Sequence, residues 1–323
     1  MLISVIIPVY NLAQYVRYPI TSVLEQVPSD DIEIIVVDDG STDESLGVIK
    51  GFESGRSNVK IVTQKNAGVS AARNAGLSIA TGKYVTFVDG DDVVSPDAFK
   101  ILTDGIESDR EAVLSCGNHL RTSSYTWDFG ARTDDATVET SEAVLEKLLL
   151  EKYDVSTCGK LFIREKIGDL RFCEGRRINE DKYFLISYLL SNPGKVVNIN
   201  QTIYGYYVRE GSASNSSFSD KHLDMLYFSE KIENDVVASY PELTKAARYN
   251  NIVAHLAVLK KIVRSKGTKA NKQLLSDVRK KVLALSKGLT TSELGNHKQE
   301  ILMLRLGIPV YVLCVRLHDG MKR

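Results

Sequence analysis

Three carboxylates crowd four positions where an apolar run ends, in YVTFVDGDD over residues 84–92. Like charges this close oppose one another's ionisation, so Asp89, Asp91 and Asp92 require something positive near them. Asp89 and Asp91 stand two apart, and both can face one side if Gly90 supplies the tight turn between them. Hard divalent cations such as Mg2+ or Mn2+ choose carboxylate oxygen, and Mg2+ commonly combines one or two protein carboxylates with substrate phosphates. A metal bridging to a diphosphate is one reading of the stretch. A solvated acidic turn capping a strand is the other.

Further groups with chemical capacity recur along the chain. DDGSTD at 38–43 offers Asp38 and Asp39, which can accept hydrogen bonds from a ribose or a base. Its Ser41, Thr42 and Asp43 also suit a helix N-cap, and both roles can hold at once. In KNAGVSAARNAGL at 65–77 the small residues fit close helix–sheet packing. Arg73, a cation among them, fits a diphosphate or a surface ion pair. NED at 179–181 opens an apolar helical run. Glu180 and Asp181 there complement a helix dipole, or supply a general base within reach of an acceptor hydroxyl. YYVREGSAS at 206–214 sets Arg209 and Ser212 where they can clamp a phosphate or end a polar hairpin.

The elements that must position these groups alternate. Runs rich in Val and Ile at 3–7, 32–37, 59–63 and 84–88 predict buried strands. Helical patterns at 18–26, 43–54 and 69–80 separate them, with Pro19 either in a first turn or at a kink. SPDAFKIL at 95–102 predicts a helix with Ser95 as N-cap and Pro96 in first position. Strand and helix in alternation imply an α/β fold, a mainly parallel sheet with helices on both faces. Ligands collect beyond the carboxyl ends of such strands. Those ends read PVYN (8–11), DDGSTD and DGDD. From 111 the pattern is less regular: strands at 112–116 and 203–208, helices at 141–150 and 180–190, an extended excursion at 121–130. Beyond 220 it is helical, with a lysine-rich loop at 264–273. The division expected is a donor half at 1–110, an acceptor half of the same catalytic domain at 111–219, and a helical extension at 220–323.

Composition narrows the partners. Lys plus Arg and Asp plus Glu each number 41 in 323 residues, so no basic field points to nucleic acid. The four cysteines are scattered, without zinc or disulfide spacing, which fits a reducing cytosol. MLISVIIPVY reads as a strand and not as a signal peptide, and no apolar run reaches the length of a membrane span.

Taken in order, SVIIPVYN, EIIVVDDGSTD, NAGVSAARNAGL, GKYVTFVDGDD and NED resemble the succession found in family 2 glycosyltransferases of the GT-A fold, over about residues 2–215. The resemblance implies an inverting transferase that uses a nucleotide diphosphate sugar, with UDP the family's commonest donor nucleotide, and Mn2+ or Mg2+. By position, Pro8, Val9 and Tyr10 would lie against the nucleotide, and Asp39, with Asp38, against base or ribose. Arg73 would approach the diphosphate, with Gly90 and Arg209 also on the donor side. Asp89 and Asp91 match the metal-binding DxD, Asp91 in the direct ligand's place, and Asp181 matches the base with Glu180 beside it. The family's processive synthases carry QxxRW and membrane spans. Trp127 is the only tryptophan here and both features are absent, so single addition is expected, onto a glycan or lipid-linked acceptor in bacterial surface glycan assembly at the cytosolic face of the membrane. A nucleotidyltransferase would carry a basic Gly-rich loop where this chain has PVYN. A non-catalytic binding module on the same fold would lack metal-dependent turnover. LRLGIPVYVLCVRLHDGMKR at 304–323 can lie on an anionic membrane or pack on the catalytic domain or a second subunit, and Pro309 breaks any long helix there.

Overall fold

The computed structural model describes residues 2–26, 31–53, 55–133, 135–209, 217–265 and 267–320. It divides into two compact units, one made of 1–145 with 155–210, the other of 146–154 with 211–323.

The first unit is built on one sheet. Strands β1 (Ile3–Val9), β2 (Ile32–Asp38), β3 (Val59–Thr63) and β4 (Tyr84–Phe87) run parallel in the order β3-β2-β1-β4. Every residue of β1, β2 and β4 is buried, which is why these stretches read as unbroken apolar runs. The sheet then continues through β8 (Lys160–Ile163), β6 (Ala112–Thr122), β9 (Lys195–Tyr207) and β5 (Val93–Val94), with β7 (Ala136–Thr140) also on β9. Here the pairing is mixed: β8 is antiparallel to both β4 and β6, while β6 and β9 are parallel. The strand expected at 112–116 is only part of β6, and that expected at 203–208 overlaps the end of β9, which starts earlier and stops at Tyr207.

Helix α1 (Arg17–Leu24) has Pro19 within its first turn, where a missing N–H costs nothing. Helix α2 (Ser45–Glu53) follows a turn held by Asp43, whose Oδ1 accepts the Ser45 N–H at 3.0 Å. Helix α3 (Val69–Ile79) lies close on β1, because a Cβ on Gly76 would stand 2.5 Å from Ile6 Cγ2. That approach fixes the turn carrying Arg73. Helix α4 (Ala98–Glu107) begins later than the sequence suggests. Ser95 is not its N-cap, for its hydroxyl makes no hydrogen bond, and its carbonyl instead takes Gln26 Nε2 at 2.8 Å. After α5 (Ser141–Leu149) and the single turn α6 (Arg164–Ile167), α7 (Glu180–Ser191) starts from Asn179 in the left-handed conformation, φ 71°.

Near the amino ends of β1 and β2, the fully buried Glu33 carboxylate accepts from Ser4 Oγ, Lys60 Nζ, and the Thr81 and Gly82 N–H groups. Burial would raise its pKa, but these partners hold it at about 2. A carboxylate depressed in the fold gives stability that is complete above its ordinary value of about 4.5 and is lost as pH falls toward about 2. Glu33→Ala is expected to lower unfolding free energy by roughly 3 kcal/mol at neutral pH, and by progressively less as pH falls below about 4.5. Urea titrations at the two ends of that range check it.

The second unit is helical. Helices α8 (Asp224–Ser239) and α10 (Lys272–Leu285) flank α9 (Thr244–Arg264), whose Leu256, Leu259 and Ile262 form a core with Val278, Val282, Ile301, Leu304 and Tyr311. The loop expected at 264–273 is shorter, since Arg264 still belongs to α9 and Lys272 already to α10, and Lys266 lies outside the described residues. Helices α11 (Lys298–Leu306) and α12 (Ile308–Gly320) are parted by Gly307 at φ 125°, with Pro309 in the first turn of α12. Among the described residues no helix is long and apolar enough to cross a membrane.

Candidate functional site

The carboxyl ends of β1, β2 and β4 meet as the topology requires, but they use their polar groups unequally. Pro8 and Val9 are buried in β1, so of PVYN only Tyr10, 46% exposed, and Asn11 reach solvent. Asp38 and Asp39 are each 3% exposed. Asp38 accepts from the Ser41 N–H. Asp39 takes Gln64 Nε2 at 2.7 Å, the Ala67 N–H at 2.9 Å and the Gly68 N–H at 2.8 Å. Both oxygens of Asp39 therefore already anchor the approach to α3. Ser41 and Thr42 serve the same turn, bonded to Asn11.

Arg73 is the hub. It is 2% exposed, and its guanidinium reaches Asp89 at 2.9 Å, Asp181 at 2.5 Å and Glu180 at 3.6 Å. The surface ion pair considered from sequence is thus a buried one, tying α3, the end of β4 and the start of α7 together. The Phe172 ring lies 5.2 Å from its Cζ. Burial works against the charge, yet Asp181 and Asp89 together hold Arg73 well above its ordinary range. It is a permanent cation, shared among three carboxylates. Its Nε finds no hydrogen-bond partner, leaving one buried donor unused.

Glu180 is poorly matched to its surroundings. Burial, then Asp181 beside it, push its carboxyl up to about 7, against the pull of Arg73. A carboxyl raised in the fold keeps its proton there longer than in the unfolded chain, so stability falls as pH rises from about 4.5 through about 7. Glu180→Gln should match wild type near pH 4.5 and exceed it by on the order of 1–2 kcal/mol near pH 8. Unfolding curves at both values test this, and a gain equal at both would show that the Glu180 charge is not what it relieves.

Around the acidic turn, Gly90 is needed for room more than for conformation. A Cβ there would lie 2.6 Å from Leu12 Cδ1 and 2.8 Å from the Pro8 carbonyl oxygen, while its φ lies outside the left-handed range. Asp91 pairs with Arg209 Nε at 2.7 Å. Burial and then Asp89 raise Asp91 to about 6, with Arg209 opposing. Residues 210–216, including Ser212, lie outside the described part. Asp92, 1% exposed, has a different task. It accepts the Tyr204 hydroxyl at 2.6 Å and the Tyr207 N–H at 2.8 Å, and burial with its two neighbouring aspartates lifts it to about 8. The Tyr204 oxygen in turn accepts the Asp89 N–H at 3.1 Å. The third carboxylate fixes the loop from beneath.

Among the described residues no three or more His, Cys, Asp or Glu side chains are grouped to hold a metal ion. Two hard oxygen donors held two positions apart on one turn, Asp89 and Asp91, do suit a divalent cation whose shell is completed by substrate phosphate. The donor set fits on those terms. These two residues would hold the ion.

Several contributors escape a reading of the sequence. Tyr125 donates its hydroxyl to the Asp91 carbonyl at 2.8 Å and stacks on Tyr18 at 3.9 Å and Tyr207 at 4.2 Å between ring centres. The aromatic density of SSYTWDF and YGYY was the available signal. Phe172, under Arg73, gave none.

A sheet parallel over β3-β2-β1-β4 and mixed beyond it, with acidic groups gathered at the parallel strands' carboxyl ends, defines a protein of the GT-A fold. The family model for glycosyl transferase family 2 matches residues 4–170. Glycosyltransferase GlyG of Streptococcus pneumoniae is 31% identical over 265 residues, 78% of this chain and 86% of that protein. Glycosyltransferase GlyA of the same organism is 35% identical over 222 residues, 66% of this chain, and the chain matches only 31% of GlyA's length. The crystal structure of S. aureus TarS 1-349 with UDP-GlcNAc has a TM-score of 0.72 at 19% identity, covering 99% of this chain and 92% of that one. The chain belongs to glycosyl transferase family 2 and is a glycosyltransferase.

Proposed function

We propose that the chain transfers a sugar from a UDP-linked nucleotide sugar to a hydroxyl of a glycan or lipid-linked acceptor, with inversion, in bacterial surface glycan assembly. The observation that carries this is the bridging of Asp89 and Asp181 by one buried arginine. It joins a metal-type carboxylate, a diphosphate-type cation and a base candidate in one site. The UDP-GlcNAc in the TarS complex supports the donor class. Residues 1–110 hold the donor and 111–219 the acceptor, with 220–323 as a helical extension.

The barrier is departure of a nucleoside diphosphate from an anomeric carbon of oxocarbenium character. A divalent cation on Asp89 and Asp91, when bound, supplies Lewis-acid stabilisation of the leaving phosphate. Arg73 adds a fixed positive charge where negative charge grows, without reorganising at the moment of reaction. The arriving diphosphate competes with Asp89 and Asp181 for that guanidinium. Asp181, relieved of part of its counter-charge, is a stronger base and takes the acceptor proton as the hydroxyl attacks from the opposite face. Tyr10 offers its ring to the base, and Arg209 draws toward the phosphates once Asp91 is engaged. Displacement is direct and needs no covalent carboxylate intermediate.

Thermal unfolding with UDP, GDP, CDP and dTDP, each with Mn2+ and with EDTA, tests the reading. A ligand bound only by the folded state stabilises it by about 2.7 kcal/mol at a hundredfold excess over its dissociation constant. UDP with Mn2+ should raise the midpoint, EDTA should abolish the shift, and Asp91→Ala should blunt it. A shift confined to another nucleotide would reassign the donor. No shift with any of them would overturn the metal–diphosphate site.

A further inference from the structure

Leu302 and Leu306 on α11, and Leu313 and Leu317 on α12, are 57%, 69%, 59% and 58% exposed. No other large hydrophobic among the described residues is more than half exposed. Within each pair the spacing is four, so each pair shares one side of its helix. Exposed Pro309 continues the α12 stripe, four residues before Leu313. The opposite sides are already spent, because Ile301, Leu304 and Tyr311 enter the helical core. These helices are therefore apolar on two sides, and only one of them is covered by the described residues. Exposed apolar area of that kind marks a contact surface.

The charges on this surface select its occupant. Lys298, Arg305 and Arg316 are exposed among the leucines. The two acids of these helices point elsewhere: Glu300 pairs with Lys260 at 2.8 Å and Asp319 with Arg264 at 2.9 Å, both partners on α9. The outward stripe is thus cationic and apolar, with no acid of its own helices left unengaged. A second copy docked stripe to stripe would set arginine against arginine. An anionic bilayer supplies both requirements, phosphate charge at its surface and apolar depth of about 5–10 Å beneath it. Long arginine side chains can keep their heads among the lipid phosphates while adjacent leucines enter.

We infer that the α11–α12 face seats this protein on an anionic lipid surface, as an interfacial element that does not span the membrane. The inference does not rest on the sugar-transfer reading. The test is co-sedimentation of the full chain with vesicles of phosphatidylcholine and phosphatidylglycerol in equal parts, and with phosphatidylcholine alone. Binding is expected to the anionic vesicles, several-fold weaker at high salt. Leu313→Ser with Leu317→Ser, and separately Leu302→Ser with Leu306→Ser, should each weaken partitioning at least about tenfold. Arg305→Glu with Arg316→Glu should remove the preference for anionic lipid. All six positions are exposed, so circular dichroism melts should match wild type and confirm that binding, not folding, was lost. Absence of vesicle binding by the wild type would overturn the inference, as would equal binding to neutral lipid or leucine variants that bind normally. Concentration-dependent dimerisation abolished by the leucine substitutions, without vesicle binding, would instead assign the face to a second copy. Transfer to a water-soluble acceptor should be the same in every variant, which separates this result from failure of the active-site reading.

Discussion

Asp181→Asn is expected to lower sugar transfer by about 10²–10⁴-fold, the usual worth of a positioned general base, while nucleotide binding stays nearly intact. The amide keeps an oxygen that can accept from Arg73, so the bridge to α7 survives in weakened form. Only the capacity to take a proton disappears. Calorimetric titration with nucleotide beside initial-rate measurements separates the two. A variant with wild-type turnover would move the base to Glu180, which shares the helix start and is raised to about 7. The prediction is sharp because both carboxylates stand within one arginine's reach, yet only Asp181 is part exposed, at 23% of its side chain against 11% for Glu180.

Removing the arginine should do more damage to the fold. Arg73→Ala leaves Asp89, Glu180 and Asp181 without their common cation in a largely buried place. Breaking a buried pair by deleting one partner typically costs about 3–5 kcal/mol. The loss should be greatest above neutrality and shrink toward pH 5, because carboxylates without a counter-charge take up protons more readily. Arg73→Lys should recover part of the stability and little of the transfer, since a point charge cannot hold Asp89 and Asp181 through two separate nitrogens. Unfolding by urea across that pH range, paired with rates, checks both statements. Wild-type stability in Arg73→Ala would mean that the bridge contributes nothing net.

How much of this was legible in the sequence depended on the kind of signal. The parallel strands β1 to β4 announce themselves by runs dense in apolar residues, which in β1, β2 and β4 follow from full burial on both faces. Strands β5, β7 and β8 did not. Two residues give no period, ATVET is almost wholly exposed, and KLFI begins with a buried lysine. Ser95 misled because Ser-Pro is a good helix start locally, whereas the hydrogen bonds that decided the start came from Gln26, on a distant segment. At the site, DGDD and Arg73 stood out by residue type. Their meeting with Asp181, across 108 positions, belongs to the topology and leaves no trace in spacing. Asp38 and Asp39 show the converse. They have the right chemistry for a ligand, yet backbone N–H groups had already taken up most of their capacity. Pro8 and Val9 likewise fall inside the strand, with only Tyr10 beyond its end.

The helical unit takes in residues 146–154 as well as 211–323, so the chain leaves the sheet unit, returns to it and leaves again. A single cut near residue 211 would therefore not release a self-sufficient catalytic fragment. It would strand nine residues whose neighbours had been discarded, including the last turn of α5. Expression of the catalytic half alone, grafting of the tail onto another transferase, or circular permutation at that point would each have to carry this short interlude along. For anyone dissecting the protein, the severable parts are set by three junctions and not by one.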